Sequence, residues 1–400
     1  MNRLANGLFG GGDGTELNPY LVEDAQDLNA VRNDYSAYYK QSQNIDLSIY
    51  TNWKPIHDYP GGIAFTGSYD GGDFIIDNLT VESDTENYLA LFGLCVGAKL
   101  KNIHIRNANI GSIVGSQKSQ QGGILATVAS DCEVFNCTTS GKVLLDINDF
   151  CSASGFIAVI EGTSLVEKCA AIDVTVSASI VGLFCFTYTG DKIKNCYGQG
   201  SLIGFRERYN ASSYIAGFVH SHYNGVIENC YANAKISYIH HSDTERGPEV
   251  SVFSSTANPN FLVNCFADVE EYGPIQWEEL RYYNRDTHIK GTDGKIYSCI
   301  NSQSEKDYYY DPSWEMGPPE WWPGAFTRAQ PISGEVYAEH WELDSSSTNK
   351  TTSEMFKKET FIDWDFDNIW TIKEGVSYPT FKLKRAIIKC KRVPLSNYRR

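Results

Sequence analysis

Apolar residues lie along this chain in short alternating bursts, and the bursts recur at a spacing far longer than the period of any one helix or strand. The clearest marker is the dipeptide Asn-Cys, found at Asn136-Cys137, Asn195-Cys196, Asn229-Cys230 and Asn264-Cys265. Asn102-Ile103, Lys168-Cys169 and Ser298-Cys299 fill the same slot, and successive copies stand 34, 32, 27, 34, 34 and 34 residues apart. Twelve or 13 residues upstream of most copies is a large apolar residue, usually after Gly: Leu91, Ile124, Phe156, Leu183, Phe218 and Phe253. Downstream comes an alternating segment, as in Ala108-Asn-Ile110, Val174-Thr-Val176 and Ala234-Lys-Ile236. Three short strands per repeat, bounded by Gly, Asn and Ser turns, predict one coil of a parallel β-helix. The predicted fold is all-β: a right-handed parallel β-helix of about seven coils, with a helical cap over residues 23–33 and an irregular aromatic C-terminal region.

The repeat divides the chain into an N-terminal cap with the first coils (1–88), the repeat proper (89–300), an aromatic insertion with a C-terminal cap (301–381) and a tail (382–400). Coils stack, so one inward position per coil predicts a ladder of Cys137, Cys169, Cys196, Cys230, Cys265 and Cys299, packing as small hydrophobes rather than holding a metal. From the Cys slot to the next apolar anchor the chain spends 21, 19, 14, 22 and 23 residues. Insertions of such variable length project from one corner of the rod, where binding residues are expected. That corner nominates Arg206, Arg208, Tyr209, His240 and His241, within residues 205–209 and 238–246.

The flanking motifs point to a family. Gly12-Asp-Gly-Thr15, Asn18-Pro-Tyr-Leu21, Ala25-Gln-Asp-Leu28, Asn44-Ile-Asp-Leu47, Trp53-Lys-Pro-Ile56 and the run from Phe65 to Gly71 resemble the opening of GLUG-motif, adhesin-like β-helix proteins of bacteria and phages. Leu91-Phe-Gly93 through Ile110 is similar to the motif that names the group, and Met355, the run from Phe361 to Trp370 and Gly375-Val-Ser-Tyr-Pro379 are similar to its usual ending. The resemblance covers roughly residues 10–383 and implies secreted, surface or phage structural proteins of adhesive role. It also implies that Trp364, Phe366 and Trp370 close the far end of the rod.

Charge narrows the partners. The formal net charge of −15 argues against nucleic acid binding by the main body, yet residues 382–400 carry eight basic residues and no acid. Lys384, Arg385, Lys389, Lys391 and Arg392 are therefore the expected docking element for an acidic partner. No apolar run is long enough to span a membrane, and Met1-Asn-Arg-Leu-Ala-Asn-Gly7 has no charged-then-apolar leader pattern, so the 11 Cys are expected as reduced thiols formed in a cytoplasm.

Candidate chemistry is sparse. Paired carboxylates would mark glycoside cleavage, but Glu161, Glu167, Asp173, Asp191, Glu228 and Asp268 fall in different slots of different coils. His220 and His222 share a strand face and, with His240 and His241, offer imidazoles, but loop polarity accounts for them equally well; no metal and no cofactor is expected. Tyr309, Trp314, Trp321 and Trp322 sit among Pro and Gly, where no periodic element buries them, and are the strongest binding candidates. The expected function is a non-enzymatic structural or host-recognition protein of a phage particle, assembled in the host cytoplasm among other virion proteins and contacting a host glycan or receptor. A bacterial cell-surface adhesin module and a polysaccharide depolymerase are the alternatives.

Overall fold

Alternation inside each repeat turns apolar side chains inward and polar ones outward. In one coil Ile103, Ile105, Ala108 and Ile110 are all buried, whereas Arg106 and Asn109 face out. In the computed structural model, which describes residues 8–57, 62–83, 86–112, 120–145, 151–206, 214–240, 249–254, 261–268, 288–290, 296–299, 341–343 and 349–382, these strands stack into a parallel β-solenoid. Among the described residues, the solenoid is built from parallel sheets of nine, ten, six and five strands.

Each full coil contributes four strands, one more than the sequence pattern suggests. The second coil reads Gln121–Gly122, Ala126–Ser130, Glu133–Phe135 and Thr138–Leu144, each paired in parallel with its counterpart one coil away. The extra strand is only two or three residues long and of changing composition from coil to coil, too short to show alternation. Five such coils, and a sixth with three strands among the described residues, run between residues 88 and 268, where the Cys-slot spacing predicts about seven. Cys299 does not extend the ladder: its strand, Ile296–Cys299, pairs antiparallel with His288–Lys290 and Trp341–Leu343. The reason lies upstream, where Asp286 and Thr287 stand at the positions that should hold an apolar anchor.

The inward Cys form the expected column. The Cys137 N–H points at Cys169 Sγ (3.5 Å), Cys169 N–H at Cys196 Sγ (3.4 Å) and Cys196 N–H at Cys230 Sγ (3.3 Å). Each thiol in turn donates to the carbonyl two residues back, as from Cys196 to Lys194 O (3.1 Å). Burial pushes the thiols of Cys137, Cys169, Cys196 and Cys230 well above 9, so they stay protonated and unreactive. Nine described cysteines are free and buried, out of 11 in the chain. A thiol-reactive dye at pH 8 is therefore expected to label at most the remaining two in the native protein and all 11 in guanidinium; labelling of three or more in the native state contradicts the ladder.

The residue beside each Cys turns the corner. Asn102, Asn136, Lys168, Asn195, Asn229 and Asn264 all have φ between 50° and 56°, a left-handed conformation that Asn tolerates best among residues with a Cβ. Their amides bridge coils, with Asn136 Nδ2 donating to Asn102 Oδ1 (2.8 Å) and Asn264 Nδ2 to Asn229 Oδ1 (3.3 Å). One coil later in the long strand, Gly141 (φ 134°) passes so close to Ala108 that an added Cβ would lie 2.2 Å from its carbonyl oxygen.

The N-terminal end carries the expected helical cap, α1 (Ala25–Ala30), continued by a 3-10 turn at Val31–Asn33. Asp24 caps it by accepting from the Gln26 and Asp27 N–H groups at 2.9 Å, and buried Asp27 accepts from Phe9 N–H (2.8 Å) and Glu23 N–H (3.0 Å). Leu28 and Val31 are fully buried and α1 packs on the N-terminal strand Tyr20–Val22, which covers the open end of the solenoid. No helix among the described residues is long and apolar enough to cross a membrane.

At the other end the arrangement departs from expectation. Asn349–Lys350 adds one short strand beyond Ala267 and Asp268 of the last coil. The segment that follows, including the helical turn α2 (Thr352–Met355), then folds back along the flank of the rod. Trp364 Nε1 donates to Asn264 O (3.1 Å), the Tyr231 hydroxyl to Pro379 O (2.6 Å) and the Tyr378 hydroxyl to Asp268 Oδ2 (2.6 Å). Trp364 and Trp370 thus cover the outer face of the last coils more than they close the end, because that face is aromatic there and would otherwise be exposed to water.

Candidate functional site

The outer face of the ten-stranded sheet is not uniform along the rod. The residue just after each Cys slot points outward, and the register places Ile75, His104, Thr138, Ala170, Tyr197, Tyr231 and Phe266 side by side in one column across seven strands. Tyr197 and Tyr231 stack with ring centroids 5.0 Å apart and, with Phe266, are covered by Phe361, Trp364 and Trp370. The column's polar half is left open. There the face forms a groove of ≈ 830 Å³, with residues 380–382 as one wall.

His104 and its neighbours on adjacent coils form the polar centre of the groove. His104 Nδ1 lies 2.8 Å from Thr138 Oγ1, and its Nε2 lies 3.4 Å from Asp73 Oδ1, which also accepts from Asn136 Nδ2 at 2.8 Å. A carboxylate cannot donate, so the hydrogen-bond pattern assigns the proton to Nε2 and leaves Nδ1 to accept from the Thr138 hydroxyl. Burial lowers the imidazole pKa below its usual 6.5, outweighing the raising effect of Asp73, so His104 is neutral at pH 7. Arg106 pairs with Asp77, Lys168 stands at the left-handed corner two coils on, and Asp173 and Phe381 are also in the lining.

Asp173 apart, these residues are not singled out by the sequence. The signal was present in the repeat: the position after the Cys slot reads His, Thr, Ala, Tyr, Tyr, Phe from coil to coil, a polar-to-aromatic gradient visible once repeats are aligned by column. Of the corner residues that were nominated, Arg206 and His240 are register partners at the ends of the two longest strands, Tyr197–Arg206 and Tyr231–His240. Arg208, Tyr209 and His241 lie outside the described residues, as do Tyr309, Trp314, Trp321 and Trp322 and the basic residues Lys384, Arg385, Lys389, Lys391 and Arg392.

The other candidates have ordinary partners. His222 bonds Gly225 O (3.0 Å) and Ser254 Oγ (3.3 Å), and His220 bonds Ser221 Oγ (2.8 Å) while packing on Tyr214. Burial pushes the His220 pKa down to about 4. Among the described residues no three His, Cys, Asp or Glu converge as a metal site. Glu228 is paired with Lys192 and Lys194, Glu167 accepts from Asn195, and Asp268 accepts from Tyr378; of the six candidate carboxylates, Asp173 alone lines the groove.

No protein-family model matches the chain. A stretch of 101 residues, 24% of the chain, is 33% identical to a candidate Gly-rich membrane protein of Evansella cellulosilytica, of which it covers 12%. Another stretch of 105 residues, 25% of the chain, is 32% identical to halomucin of Haloquadratum walsbyi, of which it covers 1%. The chain thus spans only a small part of the length of these relatives. Among solved structures, a candidate immunoglobulin A1 protease from Bacteroides ovatus superposes with a TM-score of 0.54 over 94% of this chain and 95% of that one, at 16% identity. At that identity the likeness is one of fold, and the fold is the β-solenoid.

Proposed function

We propose that the chain is a non-enzymatic recognition module of a cell-surface protein, a rigid rod that binds an extended saccharide in the groove beside His104. The observation that carries this reading is the groove itself: an open furrow whose hydrogen-bonding groups come from successive coils. Coils of a parallel solenoid repeat every ~4.8 Å, so a polymer lying along the rod meets a new row of side chains at each step. Asn136, Thr138 and Lys168 offer amide, hydroxyl and ammonium groups, and the Phe381 ring stands in the wall, a mixture suited to sugar hydroxyls and ring faces. Asp73 Oδ1 is already engaged by Asn136 and His104, which favours binding over acid catalysis.

The resemblance to GLUG-motif, adhesin-like proteins supports display on a surface, as do the names of the two relatives, a membrane protein and a halomucin. Those names favour the adhesin reading over a phage particle. The test is an array of bacterial, plant and animal glycans probed with the purified chain and with Thr138→Trp. That substitution fills the groove from an outward position and leaves the core intact. Binding to extended saccharides is expected, weakened at least tenfold by the variant. No binding, or binding that Thr138→Trp leaves unchanged, overturns the proposal.

A further inference from the structure

A second cleft, of ≈ 460 Å³, opens on the same outer face. Tyr378 borders it, two residues before the wall of the groove begins, and Asp173 lines both. Its floor is built in two rows. Thr175, Ser201 and Lys235 are register partners on three adjacent strands, and Gln199 and Asn233 are partners in the row beside them. The amide row is the informative one. Asn233 is only 4% exposed, and its Oδ1 is buried without a hydrogen-bond partner. Gln199, its register partner, does not supply one: its amide nitrogen donates to the Tyr231 hydroxyl (3.0 Å) and does not bond Asn233 Oδ1. Tyr378 cannot either, because its hydroxyl donates to Asp268. A buried acceptor left without a donor is costly, and such groups in native proteins call for an explanation.

We propose that this cleft is a second saccharide subsite, taking one neutral sugar ring whose hydroxyl or acetamido N–H donates to Asn233 Oδ1. The neighbouring Thr175 and Ser201 hydroxyls donate to or accept from the ring, and Lys235 and Asp173 supply charges of opposite sign, which suits an uncharged ligand. The inference rests on reading this face as saccharide-binding, but it concerns different residues from the groove.

Methyl glycosides of glucose, galactose, mannose and N-acetylglucosamine, followed by saturation-transfer NMR, test it on the full chain. At least one is expected to give a signal with the wild type and with Thr138→Trp, and to lose it at least fivefold in both Ser201→Trp and Asn233→Leu. Asn233→Leu removes the acceptor at nearly constant volume, and its thermal melt by circular dichroism, expected to be no lower than wild type, separates lost binding from lost folding. A signal that survives both cleft variants, or that Thr138→Trp alone removes, overturns the subsite and leaves the groove proposal standing. No signal from any glycoside also overturns the subsite; the groove proposal falls with it only if the array too shows no binding.

Discussion

Phe184→Ala is expected to lower the unfolding free energy of the solenoid by about 3–5 kcal/mol, the range for emptying a buried aromatic site. Phe184 is fully buried in the centre of an aromatic column, with ring centroids 4.6 Å from Phe156 and 4.7 Å from Phe218, and the column continues to Phe253 at a further 4.9 Å. Truncation removes two stacked neighbours at once. The coils on either side cannot close the gap, because their spacing is fixed by parallel backbone pairing in all four sheets. In a solenoid each coil is held mainly by its neighbours, so a void here weakens the interfaces above and below together. Urea unfolding followed by far-ultraviolet circular dichroism measures the loss. A decrease of less than about 1 kcal/mol would mean that the aromatic column is not continuous core.

Trp370→Ala should cost a similar amount, about 3–5 kcal/mol, but in a different place. Trp370 is fully buried between Tyr197, Trp364 and Phe381, and its indole nitrogen faces Asn195 Oδ1 at 3.5 Å. Its contacts join the returning C-terminal segment to the outer face and leave the solenoid interior untouched. The variant is therefore expected to release residues 351–382 while the coils stay folded. Limited proteolysis should then cut within that segment, and the freed aromatic face of Tyr197, Tyr231 and Phe266 should bind a hydrophobic dye. Loss of the wall at residues 380–382 should also abolish saccharide binding in the groove. Single-step unfolding of segment and coils together would show that the segment is part of the solenoid core.

The two substitutions separate what the sequence discloses from what it hides. Phe156, Phe218 and Phe253 are legible as the apolar anchors 12 or 13 residues ahead of their Cys slots, but in the coil between them the repeat points to Leu183, whereas the ring that stacks is that of its neighbour Phe184: a spacing that varies by one residue does not tell which of two adjacent apolar residues joins the column. The helical cap is legible within residues 23–33, and the Asn beside each Cys as a recurring residue, although its left-handed corner and the cap hydrogen bonds of Asp24 emerge only in the structure. Trp370 is different. Its partners are Tyr197 and Tyr231, well over a hundred residues away, and no local pattern tells whether an aromatic tail closes the end of a rod or lies along its side. What decides it is the outward residue of each coil, aromatic in the later coils and polar in the earlier ones.

The groove was hidden for a related reason. His104 stands 31 residues from Asp73 and 34 from Thr138, and the three share no common motif; they meet because parallel stacking converts one repeat length into one coil step. The fourth strand of each coil escaped notice because segments such as Gln121–Gly122 are too short to alternate. The expected seventh coil failed at Cys299, where the spacing persists but the apolar anchor does not.

A crystal structure of the chain with the strongest oligosaccharide from the glycan array tests the central claim most directly. Sugar rings are expected along the rod axis over His104 and Thr138, against the wall formed by residues 380–382. An oligosaccharide seated instead at the corner between the long strand and the next coil, with the groove empty, would contradict it.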